Sequence, residues 1–177
     1  MATRAASHDA RRVAELLGRE PEATFEVVVR DASGEPVVLR NDPLMFNGRP
    51  MPTLYWLAGK DALRRVSRLE AAGGVRAAEA AIPAAELAAA HARYAAERDS
   101  AVPQGHAGPR PSGGVAGTRT GVKCLHAHYA YHLAGGDDPV GRWVAAKLAE
   151  AADDPGAIND SAINDSAIND QGEQAPA

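Results

Sequence analysis

The hydrophobic period changes once along this chain of 177 residues, and that change limits the folds open to it. Between residues 24 and 58 the apolar residues alternate, whereas from Leu63 onward they recur at three- and four-residue intervals. Alternation suits a half-buried strand and the longer interval an amphipathic helix. Residues 24–30, with Phe25, Val27 and Val29 on one face, and residues 36–40 predict two strands joined at the Ser33-Gly34 turn. Residues 53–58, rich in β-branched and aromatic side chains around Tyr55 and Trp56, predict a third. Residues 41–52 between them form a loop studded with prolines and Gly48.

The helical part is punctuated as clearly. Val13, Leu16 and Leu17 have helical spacing before Gly18. Leu63, Val66 and Leu69 predict a helix that stops at Gly73-Gly74, and residues 84–99 a second, alanine-rich one. Residues 122–134 read as a helix ending at Gly135-Gly136, and Asp138-Pro139 caps and opens a last helix through Ala152. Strands followed by helices, without βαβ alternation, predict an α+β fold. The expectation is a small antiparallel sheet, a hairpin plus one further strand, packed on one side against four or five helices in a single domain.

Residues 1–12 are expected to be a flexible N-terminal segment, 13–152 the domain, and 153–177 a disordered acidic tail. That tail repeats Ala-Ile-Asn-Asp from Ala157, Ala162 and Ala167. A five-residue period is too short for a stacking repeat unit, and the polar composition cannot build a core. Residues 151–177 hold six acids and no Lys or Arg; without them, 17 acids face 19 basic residues, a balance of +2. So weak a field does not favour nucleic acid as a partner class. No run of about 18 apolar residues exists, so no membrane span is expected. The single cysteine excludes an internal disulfide framework and suits a cytoplasmic location.

Residues 102–121, with six glycines and three prolines, form a long loop of the kind that is functional or disordered. Just beyond it, residues 123–132 hold the one cysteine and three of the six histidines. On a helix, Cys124, His128 and His132 fall on one side, with His126 roughly opposite Cys124. Were the segment extended, Cys124, His126, His128 and His132 would share a face. Thiolate and imidazole suit zinc, so Cys124, His128 and His132 are one candidate metal set, with a carboxylate or water completing it. An anion site is the other candidate, because glycines permit close approach and a helix start offers free amides. Arg119, Gly121 and Lys123 would hold a phosphate or carboxylate there, with Cys124 and His126 as catalytic groups. The same helix start would lower the Cys124 pKa. On the alanine-rich helix, His91, Tyr94 and Arg98 are spaced i, i+3 and i+7 and could line an adjoining cleft. No G-x-S-x-G elbow or Walker A loop is present.

Several blocks together resemble the domain-of-unknown-function 501 (DUF501) family of small, mostly actinobacterial proteins. They are Leu17-Gly18-Arg19, the run from Gly48 to Leu57, Ser67-Arg68-Leu69-Glu70, His91-Ala92-Arg93-Tyr94 through Glu97-Arg98, Val122-Lys123-Cys124-Leu125-His126, and Asp138-Pro139-Val140-Gly141. The resemblance implies a single-domain cytoplasmic protein. It also implies gene neighbours in phosphate metabolism and division, and weight on Lys123, Cys124 and His126 over His128 and His132. The leading expectation is a small-molecule site for phosphate or carboxylate, open to an enzymatic role. The alternatives are a non-catalytic interaction module, using residues 41–52 and the Tyr55-Trp56 region, and a zinc-stabilised structural domain.

Overall fold

In the computed structural model, residues 7–153 are described; residues 1–6 and the repeat tail from residue 154 lie outside the described residues. Helix α1 (Ser7–Leu17) takes in residues 7–12, which were assigned to the N-terminal segment. Three antiparallel strands follow, β1 (Phe25–Arg30), β2 (Pro36–Asn41) and β3 (Tyr55–Leu57), in the order β1-β2-β3. The hairpin register pairs Phe25 with Asn41 and Val27 with Leu39; β2 then pairs Val38 with Leu57 and Arg40 with Tyr55. Helices α2 (Lys60–Ala71), α3 (Gly74–Ala81), α4 (Ala84–Ser100), α5 (Leu125–Leu133) and α6 (Pro139–Asp153) complete the single α+β domain. The glycine pair at 73–74 ends α2 as expected but starts α3 at once: Gly73, at φ +86°, turns the chain, and Gly74 opens the next helix.

The helices do not all lie on one side of the sheet. On one face Phe25, Val27, Leu39, Trp56 and Ala58 pack with Val13 and Leu17 of α1. On the other, Val38, Tyr55 and Leu57 join Val66, Leu87, Tyr94, Leu125, Val140 and Val144 in the main core. Neighbouring residues 38 and 39 thus point to opposite layers, as strand alternation requires. Val29 leaves the face it was expected to share with Phe25 and Val27. A register shift between Val27 and Val29 marks a β-bulge, and one extra residue sends the next side chain to the other side.

Aromatic side chains are few, 5% of the chain, and three of its four tyrosines are concentrated in the main core. The rings of Tyr55 and Tyr131 stack at 5.4 Å, and Tyr94 meets Tyr131 edge-on at 5.1 Å. This cluster fastens β3 to α4 and α5, and alanines let the backbones around it approach closely. Among the described residues no helix is long and apolar enough to cross a membrane.

Candidate functional site

Three residues converge where α2 meets the start of α5: Glu70, Cys124 and His126, each half-buried, with ligand atoms within 4.8 Å of one another. The local structure explains the convergence. Helix α5 begins at Leu125, not at 122, because Cys124 is its cap residue and takes an extended backbone, φ −156° and ψ 146°. A cysteine is a poor cap, and its side chain closes no cap hydrogen bond. The carboxylate of Glu70, supplied by another helix, accepts the Leu125 N–H instead, at 2.5 Å. The extended Cys124 also breaks the helical wheel, so Cys124 and His126 face the same carboxylate rather than opposite sides.

Glu70 Oε1 lies 3.1 Å from His126 Nδ1. On the far side of the ring, Nε2 pairs with the Ser67 hydroxyl at 3.0 Å. Ser67 and Glu70 are spaced i, i+3 on α2, so one helix face presents both. Serine, imidazole and carboxylate in a row resemble a nucleophile, its base and an orienting acid. Ser67 sits in mid-helix, however, where its following amides serve α2 itself and supply no oxyanion donors. The hydroxyl is better placed to orient the ring. Burial pushes the Cys124 thiol up. The amides of Ala127 and His126 and the Lys123 charge pull it down, Glu70 adds to the rise, and burial wins. The helix start therefore does not make this thiol unusually acidic, contrary to expectation. A bound cation would deprotonate it. The Glu, Cys and His donors could hold a metal such as zinc.

The other predicted residues are placed elsewhere. His128 is sealed in the core at 0% exposure, with Nδ1 2.7 Å from Asp138. His132 is half-buried one turn further on, against Gly141 of α6. Neither belongs to the Glu70, Cys124 and His126 group, so the set Cys124, His128 and His132 is not assembled. A helix that starts only at Leu125 cannot align them. The anion site at the helix start is likewise filled from within, since Glu70 takes the Leu125 amide and Glu79 takes that of Val122 at 2.7 Å. Lys123 reaches back to the Ala116 carbonyl at 3.4 Å. Arg119 and Gly121 line a separate cleft with His91.

The α4 stripe clamps loops. Val115 N–H donates to His91 Nδ1 at 3.1 Å, which leaves the ring proton on Nε2 to donate to the Gly121 carbonyl at 3.0 Å. Gly114 must be glycine here, because a β-carbon would come within 2.4 Å of the His91 side chain. The Tyr94 hydroxyl, wholly buried, accepts the Leu54 N–H at 2.6 Å. Arg98, 1% exposed, donates to the Gly113 carbonyl at 2.9 Å and pairs with Asp99 at 2.8 Å. Tyr94 and Arg98 thus hold residues 54 and 113 to the helix. In the loop expected to meet partners, Tyr55 is buried and Arg19 covers Trp56, 5.1 Å from the ring centre, while Phe46 is 73% exposed.

Ser67 and Glu70 stand in the sequence only as part of a family-like block, with no sign of their place at this site, and Glu79 carries no sequence signal at all. Glu70 carries a signal of its own: a carboxylate in the last turn of α2, the negative end of that helix dipole, is misplaced unless it serves something else. In comparisons with known proteins, a family model described as "Protein of unknown function (DUF501)" matches residues 27–146. No curated protein and no solved structure matches the chain.

Proposed function

The chain belongs to the DUF501 family, and from the α2–α5 junction we propose that it binds zinc at a small-molecule site. Glu70, Cys124 and His126 hold one ion. A fourth position is left for water or for an oxygen of a small anionic ligand, a phosphate or carboxylate. The observation that carries this reading is the approach of three different donor types, from two helices, within 4.8 Å. With bonds of about 2.0–2.3 Å, a tetrahedral zinc keeps its ligand atoms roughly 3.3–3.8 Å apart, so small side-chain shifts close the site. With an ion bound at Nδ1, the His126 ring proton would sit on Nε2 and donate to the Ser67 hydroxyl 3.0 Å away, the outer-shell support that metal-bound imidazoles need.

Three protein ligands and one open position are the pattern of chemically active zinc sites rather than closed structural ones. Zinc would hold the Cys124 thiolate against its burial and would acidify a bound water towards neutrality. A reducing cytoplasm would keep Cys124 free for this task.

Elemental analysis of the purified chain is expected to give one zinc per chain. Cobalt substitution is expected to produce a thiolate charge-transfer band that Cys124→Ser removes and His126→Gln weakens. A chain without metal, whose melting temperature ignores both zinc and chelator, would overturn the proposal.

A further inference from the structure

We propose that the cleft between α3, α4 and the glycine-rich loop binds a small zwitterion, an α-amino acid with an aliphatic side chain. The cleft has a volume of about 340 Å³, at the low end of small-ligand pockets. Its floor is Ile82, Ala84, Leu87 and Ala88, and its rim carries one cation, Arg119, and one carboxylate, Glu79. Each part of the ligand answers one of these features.

The apolar floor takes an aliphatic group. Arg119 offers a planar guanidinium to a carboxylate, and no ion pair ties it to Glu79 among the described residues. Glu79 is held in place by the Val122 amide at its Oε1 and keeps a second oxygen for an ammonium. A plain anion would meet the Glu79 carboxylate, and a plain amine would meet Arg119, so a ligand carrying both charges suits the rim best. His91 contributes a ring wall without charge, since both its nitrogens are engaged by the loop. Gly121, at φ +71°, completes the rim; a β-carbon there would come within 2.5 Å of Glu79 Oε1 and displace it. The site shares no residue with Glu70, Cys124 and His126, so it stands or falls apart from zinc.

Isothermal titration of the full chain with L-leucine, 4-methylpentanoate and 3-methylbutylamine tests the proposal, with and without chelator. Leucine is expected to bind, and each analogue lacking one charge to bind at least about tenfold more weakly. Arg119→Gln, at an exposed position, should weaken leucine binding by a similar factor. Ala88→Phe, also exposed, should fill the floor and abolish binding while circular dichroism stays unchanged. Chelator should change none of these results. No heat with leucine up to about 10 mM, an affinity for 4-methylpentanoate equal to that for leucine, or an Arg119→Gln chain that binds as the parent does would each overturn it.

Discussion

His126 and His128 stand two residues apart on α5, and each turns Nδ1 to a carboxylate, Glu70 at 3.1 Å and Asp138 at 2.7 Å. Their surroundings separate them. His128 and Asp138 are fully enclosed, whereas the side chains of His126 and Glu70 are 23% and 25% exposed. Asp138 also accepts the Gly141 N–H at 2.8 Å, so it caps α6 while fixing His128. Its pair joins two helices, and Nε2 of His128 meets no partner among the described residues. The outer pair lies where water and ions reach it, with a thiol alongside. The same pairing of imidazole with carboxylate is therefore a structural tie in one place and a group that could hold a metal in the other, and solvent access separates the two.

The largest expected effect tests the enclosed side. Asp138→Ala would strand the His128 Nδ1 and the Gly141 amide in the core, and each buried group left unpaired costs about 1–3 kcal/mol. Glu70→Ala, which opens a half-exposed cap, should cost about 1 kcal/mol. Urea unfolding of both variants measures the difference. Equal losses would erase the distinction between the two pairs.

The next effect is a pH dependence and extends the comparison to a third histidine. Burial lowers the His91 pKa, with the hydrogen bond to the Gly121 carbonyl acting against it. The folded chain therefore binds this proton less readily than the unfolded chain. The stability that His91 contributes is complete above the unfolded value of about 6.5 and falls as the pH drops below it. His91→Gln can keep an acceptor for Val115 and a donor for Gly121 without a titrating ring. Thermal melts at pH 7 and pH 5 should show a smaller acid loss in this variant than in the parent. An identical loss would mean that His91 is not held neutral by the loop.

Most of the scaffold was legible because it depends on local patterns. Alternation marked the hairpin, three-residue spacing marked α2, and Asp138-Pro139 marked the start of α6. Three features were not legible, each for a different reason. The bulge that turns Val29 away from Val27 is a register choice between strands and leaves no mark on composition. The start of α5 was set three residues early because nothing local showed that a distant carboxylate would supply the cap. The group of Glu70, Cys124 and His126 was half visible: Cys124 and His126 stood out by type, but Glu70 lies more than 50 positions away, and only the packing of α2 on α5 joins them. The α4 stripe erred the other way, since periodicity put His91, Tyr94 and Arg98 on one face without telling whether that face met solvent or two loops.

The smallest expected effect is the most selective, because it separates an oriented ligand from a catalytic hydroxyl. Ser67 is exposed and makes one contact of interest, to His126 Nε2. Ser67→Ala should leave stability within about 0.5 kcal/mol of the parent and weaken zinc binding roughly tenfold, the effect of losing an outer-shell hydrogen bond. Ser67→Thr, which keeps the hydroxyl, should restore the affinity. A competition titration against a fluorescent zinc chelator reads both variants. If Ser67→Ala binds zinc as tightly as the parent, the hydroxyl does not orient the ring, and the line of Ser67, His126 and Glu70 would have to be explained by proton transfer instead.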